Sequence, residues 1–155
     1  MLIFLDIDGV LVPAKSWQRP EILKDGFPAF SPGAVKALNQ ILKGDVRVVL
    51  TTSHKAHHSI VEWKNIFKER GLDITSLLTL PDNIANLNRK DEIVNWKKTN
   101  DVSEKILIID DDKSLHELPA FLKDKWLETS SHIGLTNSHL HKMESILELQ
   151  SDLTQ

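Results

Sequence analysis

Apolar residues in this chain fall into short unbroken runs that alternate with stretches of helical spacing. Leu2-Ile3-Phe4-Leu5 is the first run, and Ile106-Leu107-Ile108-Ile109 is the clearest. Runs of this length and continuity predict strands covered on both faces. Further strands are predicted over 46–50, 77–80 and 126–128, the first of them rich in valine. Between them, Val35, Leu38, Ile41 and Leu42 recur at helical intervals behind Ser31-Pro32, a cap and a first-turn proline, and Gly44 ends the run. A second helix is predicted over 56–70, with Ile60, Trp63, Ile66 and Phe67 on one face and Gly71 as its stop. Others are expected over 89–98 and 138–149. Residues 10–30 hold Pro13, Pro20, Pro28 and Gly26, which predicts a loop or flap instead of a long helix.

This alternation predicts an α/β fold, a Rossmann-like three-layer arrangement with a mainly parallel sheet and helices on both faces. The expectation is a single domain over 1–155. Ligands of such sheets bind beyond the carboxyl ends of the strands, and the polar clusters fall there. Asp6 and Asp8 follow the first strand, with Gly9 allowing a sharp turn. Thr51-Thr52-Ser53 follows the second strand and Asp110-Asp111-Asp112 the fourth. Each cluster has an ordinary alternative: a turn, a hydroxyl helix cap, or a solvated acidic helix start. Three adjacent carboxylates repel one another unless something screens them. With Asp6 and Asp8 on a neighbouring strand, a hard divalent cation such as magnesium accounts for them better. Arg89-Lys90 opens a helix, where a cation could offset phosphate charge; an ordinary basic pair is the alternative.

The formal net charge of −3 gives no broad attraction for nucleic acid, although a local basic patch stays open. The absence of cysteine excludes disulfide partners, thiolate metal sites and cysteine nucleophiles. The apolar start is too short for a signal peptide and no apolar run is long enough to span a membrane, so the expectation is a soluble, cytoplasmic protein.

Taken together, Leu5-Asp6-Ile7-Asp8-Gly9-Val10-Leu11, Val48-Val49-Leu50-Thr51-Thr52-Ser53, Arg89-Lys90 and Ile108-Ile109-Asp110-Asp111 resemble, in residues and order, the haloacid dehalogenase (HAD) superfamily of phosphohydrolases. Val61-Glu62-Trp63, Glu92-Ile93, Trp96 and Gly134-Leu135-Thr136 extend the likeness to the small HAD-type domain of bacterial "Swiss Army Knife" RNA-repair proteins. His54 departs from that pattern, which would place an aromatic residue there. The resemblance implies a phosphomonoesterase working through an aspartyl-phosphate. Asp6 would be the nucleophile and Asp8 the general acid and base. Mg2+ would be held by Asp6, the main-chain carbonyl of Asp8, Asp110 and Asp111. Thr52 and Ser53 would contact the phosphoryl group, His54 is a further substrate-contact candidate, and Arg89 or Lys90 would offset charge. Spacing to Glu92-Ile93 favours Arg89, and superfamily habit favours lysine at this position.

The HAD family distinguishes its members by cap insertions, and the short connections here leave room for little or no cap. An open site suits a bulky phosphorylated substrate such as a nucleic-acid end, or a nucleotide. The competing class is a non-catalytic phosphate-binding or regulatory module of the same fold. A receiver-like signalling domain would carry its acidic clusters in a different order. His54 and His58, at i, i+4, could bind a transition metal, but a solvated helix start is the commoner arrangement. Trp17 could stack on a base, though packing over the core is the commoner fate, and Trp63, Trp96 and Trp126 are expected in the core.

Overall fold

Leu2–Leu5 forms β1, the central strand of a five-stranded parallel sheet. The computed structural model describes residues 1–15 and 17–153. The other strands are β2 (Arg47–Leu50), β3 (Ser76–Thr79), β4 (Ile106–Asp110) and β5 (Trp126–Glu128), in the order β3-β2-β1-β4-β5. Parallel neighbours need crossovers. These are supplied by α1 (Pro32–Ile41), α2 (Ile60–Glu69), α3 (Arg89–Thr99) and, before β5, a 3-10 turn and the short α4 (Ala120–Lys123); α5 (Leu140–Leu153) closes the fold.

Side chains alternate across the strands and divide the core into two layers. Ile3, Leu5, Val48, Leu50, Leu107 and Ile109 pack with α1, α2 and α5. Leu2, Phe4, Val49, Ile106 and Ile108 pack on the opposite face with α3 and α4. The chain winds from β1 outward through β2 to β3, then returns to the other side of β1 as β4. The winding therefore reverses between β1 and β4, and ligands of such sheets bind beyond the carboxyl ends of the strands at such a point. Leu5 pairs with Ile109, so Asp6 and Asp110 leave the sheet side by side.

Among the described residues, 10–31 contain no helix or strand, only turns and isolated bridges. The loop is nevertheless tethered. Arg70 donates to the Asp25 carboxylate at 2.7 and 2.9 Å and to the carbonyls of Phe27 and Pro28 at 2.8 and 2.9 Å. At its other end, Leu135 N donates to Val10 O at 2.8 Å. A Cβ at Gly134 would lie 2.6 Å from that same carbonyl, so only glycine lets the two segments approach this closely.

Strand bounds shift by at most one residue from the pattern reading, and two helices depart further. The second helix starts at Ile60, not 56, because Ser59 and Glu62 form a reciprocal capping box there. Residues 55–57 instead make a 3-10 turn, so His54 and His58 do not share a helical face. The last helix begins at Leu140, after a 3-10 turn over Asn137–His139, and runs on to Leu153. Trp17 is 75% exposed and does not pack over the core, whereas Trp63, Trp96 and Trp126 are buried. No described helix is long and apolar enough to cross a membrane.

Candidate active site

The site forms where β1 and β4 end. Asp6 is the first residue after β1, and its amide donates to Ile109 O at 3.1 Å, continuing the ladder by one bond. Asp110 is the last residue of β4 and wholly buried; its carbonyl accepts from the Trp126 indole at 3.0 Å. Carboxylate oxygens of Asp6, Asp110 and Asp111 all lie within 4.8 Å of one another. Asp111 arches over Gly9, where a Cβ would sit 2.0 Å from Asp111 Oδ2. Gly9 also has φ of +82°, a conformation open to glycine at little cost. The Gly9 carbonyl accepts from the Thr129 hydroxyl at 2.8 Å, which pins the turn from beneath.

One guanidinium meets this acidic cluster. Arg89, in the first turn of α3, donates from Nη1 to Asp110 Oδ2 at 2.5 Å, and Nη1 lies 3.5 Å from Asp6 Oδ1. The same nitrogen donates to Thr51 Oγ1 at 3.3 Å, and that hydroxyl donates on to Asp110 Oδ2 at 3.3 Å. Arg89 Nε is buried without a hydrogen-bond partner, 3.8 Å from Glu92 Oε1. Lys90 points elsewhere: its amide donates to Ser114 Oγ and its ammonium pairs with Asp91 at 3.0 Å. The cation brought to the carboxylates is thus Arg89.

The electrostatics follow from this packing. Burial pushes the Asp6 carboxyl well above its ordinary value, and the charge of Asp110 pushes it the same way. Burial raises Asp110 too, against the opposing pull of Arg89. Desolvation alone would lower Arg89, but the charges of Asp110 and Asp6 outweigh it and hold the guanidinium above its usual value. The three carboxylates lie close together, two of them buried, with Arg89 against Asp6 and Asp110, so acidic groups outnumber the one guanidinium that meets them. An all-oxygen donor set of this kind matches a hard divalent cation such as magnesium.

Asp8 stands apart from the cluster. Its side chain is 55% exposed, and Oδ2 lies 2.8 Å from His54 Nε2. Its carboxylate is therefore not among the three that converge. Thr52 is buried and its hydroxyl accepts the His54 amide at 3.2 Å, while Ser53 is exposed at the rim. Thr51, Lys55, Glu92 and Thr129 also support the site, although the pattern of the sequence does not single out their roles. Lys55 is buried and pairs with Glu92 at 2.9 Å, directly behind Arg89. A lysine following a hydroxyl cluster looks like a solvated charge until the fold is known.

The model of a protein family described as the HAD domain in Swiss Army Knife RNA repair proteins matches residues 2–140. Comparison with curated proteins and with solved structures returns no significant match.

Proposed function

Because the chain belongs to the family of HAD domains in Swiss Army Knife RNA repair proteins, we propose that it is a magnesium-dependent phosphohydrolase that cleaves phosphomonoesters. The observation that carries this is the convergence of the Asp6, Asp110 and Asp111 carboxylates at the β1/β4 switch point, with Arg89 against them. Asp6, Asp110, Asp111 and the Asp8 carbonyl would hold Mg2+. When bound, that ion neutralises phosphoryl charge and acts as a Lewis acid.

The chain's own residues divide the remaining work. A carboxylate oxygen of Asp6 forms a bond to phosphorus while the bond from phosphorus to the ester oxygen breaks. The ester oxygen departs with the electron pair and takes a proton from Asp8. Asp8, now a carboxylate, then takes a proton from water as that water attacks phosphorus. The bond between Asp6 and phosphorus breaks, releasing phosphate and restoring Asp6 as a carboxylate and Asp8 as an acid. Asp6 suits the first task by being buried, and Asp8 the second by a half-exposed side chain that an incoming ester can reach. Arg89, whose Nη1 meets Asp6 and Asp110, offsets negative charge near phosphorus. Thr52 and Ser53 line the approach of the phosphoryl group, with backbone amides as donors.

The open approach beyond the sheet and the description of the family make phosphorylated nucleic-acid ends and nucleotides the first substrates to try. Phosphate release from p-nitrophenyl phosphate, nucleotides and 3′- and 5′-phosphorylated oligonucleotides, with and without Mg2+, tests the proposal. Turnover that requires Mg2+ is expected. An absence of turnover across the panel would leave a phosphate-binding module instead.

A further inference from the structure

We propose that His54 is a positioning residue that holds the proton-transfer carboxyl of Asp8, an inference that rests on the phosphohydrolase assignment above. The Asp8 side chain is half-exposed although its chain neighbours Ile7 and Gly9 are buried, and a short acidic side chain in water moves freely among rotamers. A group that gives a proton to a leaving oxygen must stand within hydrogen-bond reach of it. Among the described residues, the contact that restrains the Asp8 side chain is His54 Nε2 at 2.8 Å from Oδ2. With Nε2–H donating, Oδ2 is engaged and Oδ1 remains to carry the transferred proton.

His54 is itself held. Thr52 Oγ1 accepts its amide at 3.2 Å, and its carbonyl accepts from His57 N at 2.9 Å. Its ring stands edge-on to Phe27, with centroids 6.1 Å apart and an interplanar angle of 89°. Phe27 is clamped in turn, its amide donating to Asp25 and its carbonyl accepting from Arg70. A continuous set of contacts therefore runs from Arg70 through Phe27 and His54 to Asp8, giving the tethered loop a part in catalysis.

A substrate contact and a positioning residue differ in what they change. Loss of a contact raises KM for substrates sharing the phosphoryl group. Loss of positioning lowers kcat where the leaving oxygen needs a proton, as an alkoxide does and p-nitrophenolate does not. In His54→Phe, which keeps an aromatic ring against Phe27, the ratio of kcat for an alkyl phosphate to kcat for p-nitrophenyl phosphate is expected to fall about tenfold. KM should stay within about twofold. His54→Gln, which retains a donor, should restore most of the ratio. Without turnover, the ring-nitrogen resonances of His54 should shift in Asp8→Ala. An equal fall on both substrates, a raised KM at constant kcat, or unshifted resonances would overturn the proposal. Wild-type protein that releases no phosphate from either ester would remove the assignment beneath it, and the proposal with it.

Discussion

The Lys55 ammonium lies 2.9 Å from the Glu92 carboxylate, and the two side chains are only 5% and 10% exposed. Glu92 also stands 3.8 Å from Arg89 Nε, so this pair backs the guanidinium that meets Asp6 and Asp110. A buried ion pair adds little net stability, but removing one partner strands the other without water. Lys55→Met should therefore cost roughly 3 kcal/mol, seen as a lower urea midpoint. Lys55→Met combined with Glu92→Leu should recover most of that loss, since no charge is then left buried alone. If the single and double variants unfold at the same urea concentration, the pair is not the cause.

Gly9 supports a second prediction. Its φ of +82° is strained for any L-residue, and a Cβ there would strike the Asp111 carboxylate. Gly9→Ala should cost on the order of 1–3 kcal/mol and push Asp111 out of the cluster. Calorimetric titration with Mg2+ should then show weaker binding than in the wild type. Unaltered Mg2+ affinity in a folded Gly9→Ala protein would mean that Asp111 is not a ligand.

Acid stability should report on the loop tether. Hydrogen bonds from Arg70 hold the Asp25 carboxyl below its ordinary value of 3.8, against a smaller opposing effect of burial. A carboxyl depressed in the folded state stabilises it above the unfolded pKa, and that contribution disappears as pH falls through the folded value. Unfolding free energy should thus drop on acidification through and below the ordinary value. Asp25→Asn should be less stable near neutrality and show a flatter dependence in that range. Parallel curves for the two proteins would remove Asp25 from the account.

Much of this architecture is visible in the residue pattern, and the failures have physical causes. The run at Leu2–Leu5 coincides with a strand, because a strand buried on both faces needs an unbroken apolar run and little else; the expected strand at Trp126–Glu128 is present too, at the edge of the sheet. Ser31-Pro32 likewise marks the start of α1. The start of the second helix is less legible: apolar spacing alone extends it back to residue 56, while the capping box at Ser59 and Glu62 fixes its first turn. The turn at Lys113–Glu117 and the helix at Ala120–Lys123 are too short to show a period. Trp17 shows the limit of composition, since an aromatic residue in a loop carries no mark of which way it faces.

At the site, the acids at strand ends stand out because charge rarely follows an apolar run by chance. Between Arg89 and Lys90 the sequence points both ways, spacing to Glu92-Ile93 towards one and superfamily habit towards the other, and helix phase brings Arg89 to the carboxylates. The pairings of His54 with Asp8 and Lys55 with Glu92 join residues 46 and 37 positions apart, and no local pattern predicts them.

The assignment of Asp6 as nucleophile is the claim on which the rest depends, and it has a direct test. Protein quenched in acid during turnover of a phosphomonoester with Mg2+ should carry a phosphoryl group on the peptide containing Asp6, and Asp6→Asn should carry none and turn over nothing. A phosphoryl group on another residue, or an Asp6→Asn protein working at the wild-type rate, would contradict the account.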